Sequence, residues 1–286
     1  MFVQFGMRRK VIVLNSDRMW QDTKSISDVM ARKTPCFRAP AWFLLLFLCA
    51  ATFAMPGFGH APITNGLLAH WSGDGNAKDS ANHFDGKVSG GLSYVPGPTG
   101  QAFQFNGGDA QVDFGPNIGN FGTRDFTIAY WMKTSDPYHL TAFLDKRPIC
   151  NAGNWWDIRV GTGGPPTPGL LAFEMDDGTQ DGYVRFVTTR PLNDGVWHHV
   201  AWERQSTSSG SITYLVYVDG MLNSTSNHPY ATEVQNTAPL VMGQNICQCC
   251  DGTRPYRGAV AELQMFSHAL SPEEILSLYK AGQPGK

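Results

Sequence analysis

The chain has 286 residues, with 22 Lys/Arg against 24 Asp/Glu and only 16% charged residues. Its 31 Gly and 18 Pro are too few for a low-complexity chain and too many for a helical bundle, and 12% aromatic residues exclude a disordered one. The near-neutral total hides two unlike regions.

Residues 1–61 hold eight Lys/Arg and three acids. From Ala41 to Met55 runs an apolar stretch broken only by Thr52 and stopped by Pro56-Gly57. Fifteen residues rise about 22 Å as a helix, short of a hydrocarbon core of roughly 30 Å. Basic residues before the run and small residues after it mark a secretory signal peptide. Forty residues ahead of the run is long for an n-region, whereas Met30-Ala31-Arg32-Lys33 supplies a normal one. The expected start is therefore Met30, and the expected cleavage point lies between Ala54 and Ala61. The expected product is an exported chain, extracellular, periplasmic or on the cell surface, with its working domain over residues 62–286.

That domain carries fourteen Lys/Arg against 21 Asp/Glu, a net of −7, which leaves no electrostatic footprint for nucleic acid. It has no second apolar run of spanning length. Gly161-Thr162-Gly163-Gly164 runs into Pro165-Pro166, so no helix opens there to hold a phosphate.

In chain order, strand-like runs fall at residues 66–71, 102–105, 111–114, 125–133, 141–144, 156–160, 170–175, 183–187, 196–204, 212–218, 240–242 and 258–266. Two alternate with period 2: Phe126, Ile128, Tyr130 and Met132 on one face, and Val196, His198, Val200 and Trp202 on one face of another. Asp219-Gly220 is a two-residue hairpin turn. About twelve short strands with Gly, Pro, Asn and Asp turns predict an all-β, two-sheet antiparallel jelly-roll sandwich. One helix closes the chain: Ser271 is its N-cap, Pro272 its first residue, Glu273 and Glu274 suit its dipole, and Gly282 ends it. Ile275, Leu278 and Tyr279 form its buried stripe.

Several side chains carry possible chemistry. Asp74, Asn76 and Asp79 share one Gly-rich loop and Asp85 follows it; hard oxygens at short spacing suit calcium, although the spacing is not that of an EF-hand. Glu174-Met175-Asp176 begins like the paired-carboxylate strand of a glucanase but lacks the second Glu, and Asp176-Asp177-Gly178 is a turn. His198 and His199 are strand neighbours on opposite faces and cannot share a metal without a bulge. After the leader four cysteines remain, Cys150, Cys247, Cys249 and Cys250, which in an exported chain suggest two disulfides. Three pairings are possible; Cys150 pairs into the cluster if all four are oxidised, and a bridge to Cys249 or Cys250 would tie together two rim loops about a hundred residues apart. The remaining pair then closes a very small ring, Cys247 to Cys250 or Cys247 to Cys249; a strained vicinal Cys249–Cys250 bridge is the third possibility. Zinc on the thiolates is the alternative, but Cys247-x-x-Cys250 is only half a zinc knuckle. Trp155, Trp156, Asp157 and Arg159 follow Cys150, and Arg254 and Tyr256 follow the cluster; a bridge would gather them on one rim, where aromatic faces and polar groups suit a sugar. Asn223-Ser224-Thr225 is a glycosylation sequon.

Four segments in order also resemble a known family. They are Gly66 to Trp71 with Gly73-Asp74-Gly75-Asn76 and Phe84-Asp85-Gly86; Gly100-Gln101-Ala102-Phe103-Gln104-Phe105-Asn106-Gly107; Asp125 to Lys133; and Asp194-Gly195-Val196-Trp197-His198-His199-Val200-Ala201 with Tyr217-Val218-Asp219-Gly220 and Arg257 to Ser271. Together, over about residues 66–280, they resemble the laminin-G-like, concanavalin A-like lectin/glucanase jelly rolls of secreted bacterial type. The resemblance implies two packed antiparallel sheets with neighbouring terminal strands, and binding or adhesion rather than catalysis. It implies a packing role for the Trp197-His198-His199 segment, with Trp197 in or near the core. It also places a structural calcium between the first loop and the last strand, where Glu262 stands, although the usual acidic pair is here Ala261-Glu262.

The expected function is thus a secreted, non-catalytic glycan-binding module, calcium-stabilised, facing a glycan or glycoprotein surface. The alternative is a structural or adhesive protein–protein module. A glycoside hydrolase ranks below both.

Overall fold

The computed structural model describes residues 62–138, 140–150, 152–161, 169–249 and 252–283. The apolar run 41–55, the start at Met30 and the cleavage point lie outside the described residues, as does Cys250. Among the described residues no helix is long and apolar enough to cross a membrane.

Among the described residues sixteen strands form two eight-stranded sheets. In chain order they begin with β1 (Leu67–Trp71), β2 (Lys87–Ser89), β3 (Ser93–Pro96), β4 (Gln101–Asn106), β5 (Gln111–Asp113) and β6 (Phe126–Lys133). Next come β7 (Thr141–Lys146), β8 (Trp155–Val160), β9 (Leu171–Asp176), β10 (Val184–Val187) and β11 (His198–Ser206). The last are β12 (Ile212–Val218), β13 (Met221–His228), β14 (Val241–Met242), β15 (Arg254–Pro255) and β16 (Arg257–Phe266), followed by α1 (Pro272–Ala281). The first sheet runs β13-β12-β11-β6-β16-β4-β3, with β1 also on β16; the second runs β10-β9-β8-β7-β14-β5-β2, with β15 on β7. All pairings are antiparallel except the two-residue β15–β7 bridge. The chain's first and last described strands are neighbours, as the resemblance implies.

All twelve strand-like runs are strands. Four further strands carry no signal in the pattern, each for a physical reason. β2, β3 and β15 span only two to four residues and are largely exposed. β13 reads MLNSTSNH, polar and without alternation, and is held by its ladder to β12. Its turn does follow the rule: Asp219 and Gly220 both have positive φ, 53° and 77°, the backbone a two-residue hairpin needs.

The core lies between the sheets and is strongly aromatic. Phe173 of the second sheet sits 5.7 Å from Phe126 and 5.8 Å from Trp202 of the first, and 5.6 Å from Trp156 of its own. Buried indole N–H groups find partners: Trp202 donates to Tyr130 Oη and Trp156 to the Gly119 carbonyl. Two cations are buried here without carboxylates. Lys146 donates to the Pro116 and Ala238 carbonyls, and Arg204 to those of Gly122, Arg124 and Thr232. Both tie loops to strand ends.

The helix packs on the outer face of the first sheet. Ile275 is buried with Ala129, Ala201, Tyr217, Phe266 and Leu270, while Leu278 and Tyr279 are half-buried. Ser271 and Glu274 form a complete capping box. Gly282 keeps a negative φ, so its smallness serves another purpose: a Cβ there would collide with the Trp131 indole.

Candidate functional site

The structure separates the expected sugar-site residues. Strand alternation puts Trp155, Asp157 and Arg159 on the outer face of the second sheet, while Trp156 (0% exposed) turns into the core. Tyr256 (1% exposed) is also core, edge-on to Phe105 and Phe143. Arg254 stands apart from both, its guanidinium 3.7 Å from the Tyr138 ring.

The outer face of the second sheet carries a row of charges. Arg185, Glu174, Asp157 and Asp145 lie directly opposite one another on β10, β9, β8 and β7. Acids on adjacent strands repel, so cations must stand between them. Asp157 accepts from Arg147 and Arg159 at 2.7 Å each, and Glu174 lies 3.6 Å from Arg159 and 3.2 Å from Arg185. Arg147 also stacks 3.4 Å from the Trp155 ring centre. Burial, then the Asp157 charge, pushes both Asp145 and Glu174 up from ordinary carboxylate values. The row is buried because a loop is seated on it. Asn245 donates to Asp157, the Ile246 N–H to Asp145, and Arg159 reaches Thr253.

A disulfide holds that loop. Of the pairings the sequence left open, Cys150 takes Cys247, the one compatible with the vicinal alternative, rather than Cys249 or Cys250. The short 3-10 turn Ile246–Cys249 sets this choice. The Cys247 N–H bonds to Asn245 Oδ1, the turn points Cys247 inward, fully buried, and its Cα stands 5.0 Å from that of Cys150.

The oxygens suggested for calcium serve the backbone in this structure. Asp79 accepts four N–H groups, from His70, Ala81, Asn82 and Phe84. Its burial would raise its pKa, but these amides outweigh that and hold it below the ordinary value. Asp85 accepts from the Asp79 N–H, Asp74 from Gln101, and Asn76 from Lys78. Glu262 sits at a bulge in β16 with a φ of 54°, and its carboxylate meets His70 Nε2 at 2.7 Å and the Thr99 hydroxyl at 2.9 Å. No group of three or more His, Cys, Asp or Glu among the described residues is arranged to hold a metal ion.

His198 and His199 do face opposite ways. His198 bridges Asp219 and Asp194; the Asp219 bond, against the opposing effect of burial, raises its pKa. Burial pushes His199 down to about 4, beside Trp131 and Tyr279.

A further concavity lies elsewhere, on the outer face of the first sheet beyond the helix. It is a groove of about 740 Å³. Its floor is one cross-strand row, Gln104–Ala259–Lys133, on β4, β16 and β6. Ala259 is small, and Gly258 beside it cannot carry a side chain, since a Cβ would meet Lys133 O at 2.5 Å and Tyr256 Oη at 2.6 Å. Those two small residues make the trough. Trp197, half-buried against the Trp131 cluster, and Tyr138, 43% exposed, both line the groove. The loop carrying Tyr138 is braced: Thr134 Oγ1 donates to Arg257 O, Asp136 Oδ1 accepts from the Tyr138 N–H, and Gly195 N–H donates to Thr134 O. That last bond ties the Tyr138 loop to the Trp197 segment.

Of the six residues suggested from sequence, only Arg254 touches this groove's wall. Trp197 had a visible signal, because alternation from Val196 to Glu203 sets it on the face opposite Val200 and Trp202. Tyr138 had none, being a loop aromatic placed only by the fold.

The comparisons with known proteins agree with the architecture. A family model described as the concanavalin A-like lectin/glucanases superfamily matches residues 106–276. The chain belongs to that family. Among curated proteins, it is 26% identical over 164 residues to the rat (Rattus norvegicus) sushi, von Willebrand factor type A, EGF and pentraxin domain-containing protein 1, covering 53% of this chain. The matched segment spans only 4% of that relative's length. Among solved structures, domain 4 of AbnA, an extracellular GH43 arabinanase from Geobacillus stearothermophilus in complex with arabinotriose, is similar with a TM-score of 0.58 and 20% identity, over 74% of this chain and 98% of that domain. The binding domain of Paraclostridial Mosquitocidal Protein 1 has a TM-score of 0.58 at 15% identity, over 75% of this chain and 52% of that one. The binding domain of botulinum neurotoxin DC, in complex with rat synaptotagmin II, has a TM-score of 0.57 at 13% identity, over 78% and 53%. At these identities the likeness concerns the fold.

Proposed function

We propose that this lectin-like domain is a secreted, non-catalytic glycan-binding module and that the first-sheet groove takes the sugar. The observation that carries it is the pairing of two accessible aromatics, Trp197 and Tyr138, over a floor of small and polar residues. Ring faces stack on pyranose C–H groups, and Gln104, Lys133 and Ser135 supply hydrogen bonds to hydroxyls. The arabinotriose complex of the similar AbnA domain supports a saccharide. The second-sheet row is a weaker candidate, because its charges are paired with one another and covered. Glu174 there is held between two guanidiniums rather than poised opposite a second free carboxylate across an open cleft.

A glycan array with the secreted domain tests this. Trp197→Ala and Tyr138→Ala should each weaken the best array hit about tenfold or more, the size of a central contact. Trp155→Ala should leave binding unchanged, since that ring lies under Arg147. A protein–protein module is the second reading. It is favoured by three exposed apolar side chains, Val196, Met221 and Leu222, flanking the His198–Asp219 pair. An array without any hit would move the balance to it.

A further inference from the structure

We propose that the sugar taken by this groove is anionic, bearing a carboxylate or a sulfate. This rests on the glycan-binding reading and adds the chemical class of the ligand. The starting point is where an acidic domain spends its cations. Lys146 and Arg204 are buried on carbonyls. Arg147, Arg159, Arg185 and Arg190 are paired with carboxylates. Among the described residues Lys78, Lys87, Arg124 and Lys280 have no ion pair and lie outside the groove, while Lys133, Arg254 and Arg257, exposed and equally unpaired although acids outnumber bases by seven in residues 62–286, lie in or beside it.

Those three converge. Lys133 and Arg257 line the groove, on neighbouring strands of the first sheet. Arg254 lies over the outer-wall ring of Tyr138 at 3.7 Å, a cation–π contact that fixes its charge at the rim. Among the described residues that line the groove, the only acid is Asp136. It is 6% exposed, and its Oδ1 is occupied by the Tyr138 N–H. The groove is thus a positive pocket on a negative domain.

The arginines are also placed rather than loose. The Arg257 stem rests on Gly107, where a Cβ would come within 3.1 Å of Arg257 Cβ, and its carbonyl is anchored by Thr134. A planar guanidinium fork held beside an aromatic wall matches a carboxylate or sulfate on a stacked sugar ring through two parallel N–H···O bonds. A neutral saccharide would use Trp197, Tyr138 and Gln104 and leave all three charges idle.

The test is titration of the whole secreted domain with four probes at two salt concentrations, about 50 mM and about 300 mM, which span strong and weak screening. The probes are oligogalacturonate (carboxylate), a heparin oligosaccharide (sulfate), a neutral arabino-oligosaccharide, and poly-glutamate as a non-sugar polyanion. One of the two anionic sugars should bind about tenfold or more tighter than the neutral one, and which of them does so identifies the group. That affinity should fall severalfold at the higher salt. The double variant Lys133→Gln/Arg257→Gln should lose about tenfold, the loss of two charge-assisted contacts. Arg254→Gln should lose less. All three positions are exposed, so thermal midpoints should stay near that of the parent. Trp197→Ala should lose a similar factor with every charge kept. If the neutral sugar binds equally well and the double variant is unaffected, the anionic class is wrong and the glycan reading stands. If no sugar binds, both fail. If poly-glutamate binds as tightly and ignores Trp197→Ala, the effect is surface charge alone and the inference is overturned.

Discussion

The outer faces of the two sheets solve one problem in opposite ways. Each strand alternates, so each sheet must present a second face that the core does not cover. On the second sheet that face holds Asp145, Asp157, Glu174, Arg147 and Arg159, all nearly or fully buried, paired with one another and covered by a loop stapled through Cys150–Cys247. On the first sheet half the face is sealed by α1, and the other half stays open over Gln104, Ala259 and Lys133, with its cations unpaired. Charges that have found each other can be closed over; charges that have not must stay wet or meet a ligand. The contrast supports the proposal that the first face serves recognition, while the second serves stability.

The largest expected effect lies in the covered row. Asp157→Ala leaves Arg147 and Arg159 buried without their shared carboxylate and should cost about 3–5 kcal/mol. Urea denaturation would show it, and a loss below about 1 kcal/mol would break the contrast. Next comes the staple. Cys150→Ala/Cys247→Ala opens a link across 97 residues and should cost about 2–4 kcal/mol, with sugar binding intact.

The sealed half of the first face holds a lone carboxyl. Glu203 is 1% exposed under the start of α1, accepting from Thr127 and the Leu270 N–H. Burial pushes it up to about 7 from an ordinary 4.5. Its folded value exceeds its unfolded one, so its contribution is fully present below about 4.5 and is lost as pH rises through about 7. Glu203→Gln should therefore stabilise the protein by about 2–3 kcal/mol at pH 8, with the gain shrinking toward pH 5. Thermal melts across that range would check it. A gain that does not change with pH would show that the carboxyl has the same pKa folded and unfolded. The smallest effect concerns the first loop. Calcium remains an expectation from its residues, yet its carboxylates already serve amides, so EDTA should leave the thermal midpoint where it is. A fall of several degrees would show an ion holding that loop.

Much of the architecture was readable because strands announce themselves twice. Period-2 alternation marked β6 and β11, and the positive-φ pair Asp219-Gly220 marked the β12–β13 turn. The terminal helix was legible in full from Ser271, Pro272 and Glu274. The short strands β2, β3 and β15 were not, since so few residues cannot establish a period, whereas β5, β10 and β14, equally short, showed as strand-like runs. The site was legible only in pieces. Trp155, Asp157 and Arg159 do share a face, as alternation requires, but nothing local says that Arg147 stacks on one and pairs with another. Tyr138, Trp197, Lys133 and Arg257 are separated by up to 124 residues and carry no common motif.

The sequence by itself determined the class of fold, the turn and cap positions, and which face each strand residue takes. These follow from local backbone preference and from burial of apolar side chains, which act over a few neighbouring residues. The tertiary structure alone decided which faces are covered, which cysteine reaches Cys150, and which cations go without a partner. Those outcomes depend on cross-strand register and loop placement, where one carboxylate can satisfy two arginines and leave Lys133, Arg254 and Arg257 in or beside an open groove.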